Sequence, residues 1–506
     1  MSGVRIRLFL TCWLVYVLHF ATDFSREHYL VVSIVEDGSY ALDKYYGLHV
    51  DIFENPPHAP VQGAHHGANP GISMVAAIPY FLTRPAVDWV VNRELASRRA
   101  RGDTSAVYRD DRGKRVAFYQ ATRRMGLDVR FGLVTAITLG LCMAPIVAGS
   151  AVLMFSLLGR IGLSDRRALW FSLWYAFGTP VFFRAAYLNQ NLAIGAFVFL
   201  GFALVWNPGG WVSWQARTRL FVAGLLAGLS FLSDYSGAVV GAVVGLYAWS
   251  KQTSERGNIA GGFKDALWYA AGVIPGVLML WHYQWASFGN PFYPPQHWMA
   301  PVRFIDMGYQ GVGGFGPDLL RMLLIDPKFG LFVAMPLSVL AFVTPWLARR
   351  GKSELPWRET IACVAVTVAL VLFFSTVQYT RLQGIAGIRY LAPVFPFVFL
   401  AAVPVLLRLP RIATYGLAVV SVIIAWSMAM VRNQGTVLDN VQRAMIDGFQ
   451  LPWLTVITKM STQYLPWLDG RASALPWLAV WGVLLTLVWT VRAPWRRLGA
   501  ADHDWR

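Results

Sequence analysis

The sequence predicts an all-α polytopic membrane protein: a bundle of about twelve transmembrane helices with a large first extracytoplasmic loop that contains surface helices. Hydrophobic residues make up 56% of the 506 residues and charged residues 14%, whereas soluble domains carry about 25% charged residues. Apolar runs recur along the chain, separated by polar loops. Because lipid offers no hydrogen-bonding partners, each run must satisfy its own backbone, and a helix does so.

Residues 1–22 are expected to form the first transmembrane helix. Arg5 and Arg7 precede the apolar run 8–20, a pattern typical of signal peptides. No small-residue cleavage site precedes Asp23, and many apolar runs follow. We therefore interpret this segment as an uncleaved signal anchor with a cytoplasmic N-terminus.

The remaining spans are predicted from length and from the loops between them. Lys and Arg are concentrated in alternate loops, which places those loops and both termini in the cytoplasm. Residues 131–410 are the expected transmembrane core, with outer loops 286–328 and 379–389, and residues 411–506 add a helix pair, an outer loop and a cytoplasmic tail. The predicted spans lie near 7–22, 131–158, 168–185, 191–206, 219–234, 236–250, 266–286, 329–348, 360–379, 390–407, 412–431 and 476–492.

Residues 72–130 depart from the charge rule, because alternation puts this base-rich stretch outside the cell. A span over 72–91 would move the bases inside but would invert every later loop. Pro79, Arg84, Pro85 and Asp88 interrupt that segment, so we expect a helix on the outer surface. The basic part then predicts an amphipathic element on anionic lipid head groups.

Residues 23–71, in contrast, are acidic. They hold seven acids against two bases in a protein whose formal net charge is +17. An acidic loop at a membrane surface stays hydrated and can supply a general base or bind a cation. The sequence therefore predicts that the chemistry lies at the start of the chain.

Several motifs occur in a characteristic order. Asp23 and Arg26 lie in TDFSREHYL, directly after the first span, and the loop ends in the turn GAHHGANPG at 63–71. FGNPFYPP at 288–295, IDPKFG around Lys328 and GIAGIRYLAPVFPF at 384–397 follow. This order resembles the C-type superfamily of integral membrane glycosyltransferases, most closely the branch of lipid A aminoarabinose transferases and protein O-mannosyltransferases. The resemblance covers most of residues 1–410.

The resemblance implies inverting transfer of a sugar from a polyprenyl-phosphate donor to a lipid, glycan or protein acceptor at the outer membrane face. Asp23 matches the family's catalytic acid, and a carboxylate can take the proton of the acceptor hydroxyl. Arg26 is expected to keep the Asp23 carboxylate ionised, to contact phosphate, or to form a plain surface ion pair. Asp51 is a second catalytic candidate, whereas Glu36 and Asp43 are candidates for substrate binding; Asp43 equally resembles a turn residue.

The turn before Pro70 departs from the family pattern. Relatives commonly place Lys before the proline, where it can pair with the donor phosphate, but this chain has Asn69 there, preceded by His65 and His66. These three residues are candidate phosphate or substrate contacts. Lys328 and Arg389, each at an outer span end, are the alternative cations for phosphate, or else interfacial anchors.

The expected partners are the lipid-linked donor, the acceptor and membrane lipids, with no nucleic acid. No cofactor is expected to be required, although a pair of loop acids can hold a divalent cation. A lipid or solute transporter or flippase is the main rival function, but this chain has no clear internal repeat and few charges within its spans. A catalytically inactive relative is the third alternative, supported by Asn69 alone.

Overall fold

Helices form most of this protein, as expected for the all-α class. The structure, a computed structural model, describes residues 2–103, 108–110, 112–300, 304, 307–461, 465, 467–468 and 472–491. Within those residues the only sheet is a two-stranded antiparallel one, in which β1 (Ile52–Glu54) pairs with β2 (Ala64–His66). The expected cytoplasmic tail, with Arg492, Arg496 and Arg497, lies outside the described residues.

Twenty-one α-helices follow one another along the described part of the chain. The first half contains α1 (Ser2–Leu18), α2 (Arg26–Glu36), α3 (Gly71–Arg101), α4 (Gly113–Arg124), α5 (Asp128–Thr138), α6 (Ala144–Arg160), α7 (Asp165–Phe177), α8 (Val181–Arg184), α9 (Gln190–Trp206), α10 (Ala216–Ser233) and α11 (Ser236–Arg256). The second half contains α12 (Ile259–Phe288), α13 (Pro317–Ile325), α14 (Leu331–Ala334), α15 (Thr344–Arg349), α16 (Trp357–Phe374), α17 (Phe395–Leu406), α18 (Arg411–Val431), α19 (Val437–Asp447), α20 (Pro452–Lys459) and α21 (Leu475–Thr490).

Each of the twelve predicted spans overlaps a helix, but not all of these helices are long. Among the described residues, five helices are long and apolar enough to cross a membrane: Asp128–Arg160, Ala216–Ser233, Ile259–Phe288, Trp357–Phe374 and Arg411–Val431. The apolar helices Gln190–Trp206, Ala392–Leu406 and Leu475–Thr490 are shorter. These helices agree with a polytopic membrane protein, while the count of twelve stays a prediction.

The predicted span 329–348 is broken into three pieces. They are α14, a 3₁₀ segment at Pro336–Phe342 and α15. Pro336 and Pro345 stand at the starts of the second and third pieces. Proline has no N–H to give to the preceding turn, which favours a break at each of these two positions.

Close helix packing depends on glycines that face one another between α10 and α12. A Cβ atom on Gly224 would lie 2.0 Å from Tyr269 O, and one on Gly276 would lie 2.3 Å from the Gly228 backbone. Small residues of this kind allow helices in a membrane to approach closely. Gly71, the first residue of α3, similarly packs against Ser233 at the end of α10, which fixes the first loop to the bundle.

Hydrogen bonds join the loops at one end of the bundle, which we call the site end. Ala21 N donates to Ala186 O (2.9 Å), and Gly387 N donates to Lys328 O (2.7 Å). Asn55 Nδ2 donates to Ser287 O at 2.9 Å. The loops of the site end are 19–25, 37–70, 185–189, 234–235, 289–300, 307–316, 326–330, 375–394 and 432–436. They are the loops that alternation of the spans places outside the cell.

The basic part of the first loop is tied to the protein by ion pairs. Arg98 forms a two-point contact with Asp128 at 2.9 Å for each pair of atoms, and Arg130 Nη2 lies 2.8 Å from Asp88 Oδ1. These bases are therefore bound within the fold, and lipid head groups remain the predicted partners of the others. Helix α3 runs through Pro79 and Pro85 and exposes an apolar face formed by Ile78, Phe81, Leu82 and Trp89.

Candidate active site

Asp23 lies at the site end, between the end of α1 and the start of α2. Its carboxylate pairs with Arg432 (Oδ2 to Nη2, 3.0 Å) and with Arg115 of α4. Burial by itself would raise the pKa of Asp23. The positive charges of Arg432 and Arg115 lower that pKa by more than burial raises it, so the net pKa lies below its usual range. The side chain remains 32% exposed. Asp23 is thus an ionised carboxylate that solvent can reach.

Arg432 holds Asp23 against a second segment of the site end. It follows α18 with a φ of +50°, and its Nη1 donates to Phe183 O at 2.9 Å. Its guanidinium carbon lies 4.9 Å from the centre of the Tyr187 ring. The backbone bond from Ala21 N to Ala186 O joins the same two segments. The start of the first loop and residues 183–187 therefore form one wall of the site.

A second group of charges surrounds Arg26. Its Nε lies 3.1 Å from Glu27 Oε1, and its Nη1 lies 3.1 Å from Asp51 Oδ2. Burial tends to raise the pKa of Glu27, but Arg26 and Arg389 bring it down to about 2. The same balance lowers the pKa of Asp51. Arg26 thus holds the carboxylates of Glu27 and Asp51 in their charged form. The expected pairing of Arg26 with Asp23 is wrong, because Arg432 and Arg115 hold that carboxylate.

Arg389 brings an additional positive charge to this group. Among the residues that the structure describes, its guanidinium makes no hydrogen bond or ion pair, and its carbon lies 5.5 Å from the centre of the Tyr390 ring. It lowers the pKa of Glu27 and Asp51, which shows that it acts on the same group. An arginine in this position is available for an anionic ligand.

The backbone before Arg389 is fixed by a buried arginine. Arg184 Nη2 donates to Gly387 O at 2.6 Å, and its Nε donates to Ile388 O at 3.0 Å. Gly387 has a φ of +82°, and a Cβ atom there would lie 2.5 Å from the Phe183 ring. Only glycine suits both the conformation and the space.

Lys328 lies beside this loop. Its carbonyl accepts the hydrogen bond from Gly387 N (2.7 Å), and its Nζ is 5.1 Å from the centre of the Phe329 ring. In the described part of the chain the ammonium group has no ion pair. This backbone bond joins the two segments that carry Lys328 and Arg389, the cations that the sequence predicted as alternatives for phosphate.

The histidine turn is buried beneath the site. His65 and His66 belong to β2 and are almost fully buried. The His66 Nδ1 accepts a hydrogen bond from Ala68 N (3.0 Å), so the neutral ring carries its proton on Nε2. Burial, with a further contribution from Arg26, lowers the pKa of His66 to about 3. Asn69 Nδ2 donates to Phe231 O at 3.1 Å. Asn69 therefore joins the loop to α10, and the three residues stay predicted, untested substrate contacts.

Glu36 and Asp43 have partners within the first loop and its neighbours. Glu36 accepts from Tyr80 and pairs with Arg130. Asp43 Oδ1 accepts from Ala64 N at 2.7 Å and so holds the start of β2. These contacts give both acids a structural role, and neither acid is paired with Arg26 or Arg432. Their predicted role in substrate binding rests on the sequence alone.

Sequence reasoning missed several members of the site: Glu27, Arg115, Arg184, Tyr187 and Arg432. Arg184 and Arg432 stand at the ends of predicted spans, where a base suggests an interfacial anchor. The sequence did offer one signal for these two arginines: each is a charged residue at a span end that alternation places outside the cell. Arg432 meets Asp23 across 409 positions of sequence, a distance that no motif covers.

Two apolar cavities lie against α3 and α12; the larger is bordered also by α10 and the smaller by Tyr40. Their volumes are about 340 and 230 Å³, and they share Met74 and Met279. The residue before Met74 is Ser73, whose Oγ donates to Glu27 O at 3.0 Å. An apolar groove thus begins one residue from the backbone that holds the Arg26 group.

A metal centre was not expected, and the described residues contain no group of three or more His, Cys, Asp or Glu side chains placed to hold an ion. The three cysteines, Cys12, Cys142 and Cys363, are buried and unpaired with one another. Independence from metal stays a prediction.

Comparison with known proteins gives a likeness at low identity. No protein-family model matches the chain, and no curated protein matches it. Among solved structures, the crystal structure of ArnT from Cupriavidus metallidurans in the apo state matches with a TM-score of 0.47 and 14% identity, over 96% of this chain and 74% of that one. At this TM-score and identity the match says nothing about activity, so we base function on this chain's own residues.

Proposed function

We propose that this chain is an inverting membrane glycosyltransferase, which moves a sugar from a polyprenyl-phosphate donor to a lipid, glycan or protein acceptor at the outer face of the bacterial cytoplasmic membrane. One observation carries the proposal. At the site end, the ionised carboxylate of Asp23 lies in the same loop assembly as Arg389, a cation with no partner among the described residues. A base and an anion site are the two functions that such a transfer needs.

The reaction follows from these two groups. The acceptor oxygen attacks the anomeric carbon, and the bond from that carbon to the phosphate oxygen breaks with its electron pair left on phosphate. Asp23 takes the acceptor proton as the new bond forms. A low pKa keeps this carboxylate ionised and ready to accept that proton.

The phosphate requires positive charge. A guanidinium binds phosphate through paired N–H groups in a fixed geometry, and Arg389 offers such a group. Lys328, on the adjoining loop, supplies a second point charge. Charge on a departing phosphate grows during the reaction, so fixed cations stabilise the transition state more than the ground state.

The apolar groove beside the Arg26 group suits the hydrocarbon part of the donor. Its lining includes Met74, Leu229, Leu232 and Met279, and it lies between helices long enough to cross a membrane. Lipid chains in that groove would place the phosphate at the site end. The base-rich loops lie at the opposite end, where Arg408 pairs with Glu354, and the positive-inside rule supports an outward-facing site.

The test is transfer of radiolabelled sugar from polyprenyl-phosphate donors into membrane extracts, comparing wild type with Asp23→Asn at equal expression. We expect the variant to lose activity by about 10²- to 10⁴-fold, the usual contribution of a general base. Asp318→Asn is the matched control, since that carboxylate is exposed in another outer loop and pairs with Arg381.

The other two outcomes change either the assigned base or the proposed function. Transfer that survives in Asp23→Asn moves the base to Asp51, the second predicted acid. Wild-type protein that transfers no sugar refutes the proposal, and lipid-flipping assays would then test the transporter alternative.

A further inference from the structure

Tyr187 has an unusual environment for a phenol. It lies between α8 and α9 and is partly exposed, whereas its neighbours Arg184 and Asn189 are buried. Its Oη accepts a hydrogen bond from Arg184 Nη1 (2.9 Å) and another from Asn189 Nδ2 (2.9 Å). Two donors occupy the oxygen's two lone pairs. The phenol's own proton is therefore directed to a third partner, and no described residue accepts it.

Positive charge surrounds this phenol. Arg184 is fully buried, and its hydrogen-bond acceptors in the described structure are neutral: Tyr187 Oη and the carbonyls of Gly387 and Ile388. Arg432 lies over the Tyr187 ring, 4.9 Å from its centre. A buried charge without a counter-charge is unfavourable in free energy. An anion bound here would therefore offset the free-energy cost of burying the Arg184 charge.

The acidity of the phenol agrees with this geometry. Burial would raise the pKa of Tyr187, but Arg184, Arg389 and Arg432 outweigh burial and lower it. Tyr29 and Tyr45, at the same end of the bundle, show the opposite, because burial raises the pKa of both. The charged groups that face Tyr187 thus come from three segments: the end of α8, the loop at 389 and the residue after α18.

Tyr187 is also placed next to the candidate base. Ala186 O accepts from Ala21 N, so the residue before Tyr187 is bonded to a residue two positions before Asp23. Arg432 contacts both side chains, with its Nη2 3.0 Å from Asp23 Oδ2. A carboxylate and a phenol therefore stand on either side of one guanidinium.

We propose that Tyr187 is a further catalytic residue, whose hydroxyl donates a hydrogen bond to the phosphate oxygen that leaves the sugar; this role rests on the proposed function. The bond from the anomeric carbon to that oxygen breaks, its electron pair stays on phosphate, and the acceptor proton goes to Asp23. The phenol keeps its proton throughout and stabilises the extra negative charge as it forms. Arg184 and Asn189 fix the hydroxyl so that no reorganisation is needed.

The test compares wild type, Tyr187→Phe and Tyr45→Phe. Tyr45 is the matched control, because it is buried at the same end and its hydroxyl makes no hydrogen bond with the residues that the structure describes. Loss of one preorganised donor to a developing oxyanion costs about 10²- to 10³-fold in kcat. We expect a fall of about 100-fold in Tyr187→Phe, with KM for the donor changed much less, and wild-type rates in Tyr45→Phe.

The pH dependence gives a second readout. The phenol donates only while protonated, so the wild-type rate should fall as pH rises through the pKa of Tyr187, below the ordinary value of about 10. Tyr187→Phe should lack this alkaline limb while keeping its residual rate. Equal kcat in wild type and Tyr187→Phe, or an unchanged alkaline limb in the variant, overturns the role of Tyr187 alone. A wild type that transfers no sugar instead overturns the proposed function, and this role with it.

Discussion

Arg432 contacts both the candidate base and the candidate hydroxyl donor, so its replacement by Gln tests the two assignments together. Its guanidinium lowers the pKa of Asp23 and also that of Tyr187. Gln keeps a donor for Phe183 O but removes the charge. Both pKa values should therefore rise, and the whole pH profile of transfer should move to higher pH.

The size of the shift follows from the contact between Arg432 and Asp23. Two unit charges about 4 Å apart interact by about 4 kcal/mol at an effective dielectric constant of about 20. Asp23 is 32% exposed and retains Arg115 as a partner, so solvent and the remaining pair reduce the loss. We expect about 1.4 kcal/mol, which corresponds to about one pKa unit. Arg184 and Arg389 remain near Tyr187, so its rise should be smaller.

The measurement is the rate of sugar transfer across pH for wild type and Arg432→Gln. A base must be ionised, so the acid limb reports Asp23 and should move up by about one pH unit; the alkaline limb reports Tyr187 and should also move up. Arg381→Gln is the control, because Arg381 is at the same end but pairs with Asp318. Limbs that stay in place, or move in opposite directions, would refute the assignment of both groups.

Two further substitutions test the rest of the site. Arg389→Ala should lower kcat/KM for the lipid-linked donor at least tenfold, because the phosphate loses a guanidinium that has no ion pair among the described residues, and Arg389→Lys should recover part of that loss. Initial rates at varied donor concentration measure both, and an unchanged kcat/KM would exclude Arg389 as the phosphate contact. Arg26→Met should destabilise the protein by about 3–5 kcal/mol, because it leaves the buried Glu27 carboxylate without its partner. Thermal unfolding in detergent measures this, with Arg26→Met/Glu27→Leu expected to recover stability; equal unfolding temperatures for wild type and Arg26→Met would contradict the pairing.

The helices could be predicted from the sequence because their signal is local. A run of apolar residues identifies its own span, and each predicted span overlaps a helix in the structure. The break at 336–345 follows from prolines that the sequence displays. Its exact form, three short pieces instead of one kinked helix, depends on how the segment packs against α17 and has no local signal.

The site was harder to predict, because its charges come from distant parts of the chain. Asp23 was recognisable by its position after the first span, but its partner Arg432 is 409 residues away. Glu27 was one acid among seven in the first loop, and nothing local distinguishes it from Glu54. Only the fold brings Arg389 near Glu27 and leaves Glu36 with Tyr80 and Arg130.

The residue before Pro70 bears on whether the chain is active. In the glycosyltransferases that the sequence motifs resemble, this position usually carries Lys, and Asn69 was the single argument for an inactive relative. In the structure Asn69 is buried and donates to Phe231 O, so a lysine there would lose that bond and bring a charge into a buried position. In the proposed function the loop at 384–390 supplies the positive charge for phosphate instead, since Arg184 fixes its backbone and the Arg389 guanidinium has no ion pair among the described residues. The absence of Lys before Pro70 is therefore compatible with phosphate binding, since the cation has a different source.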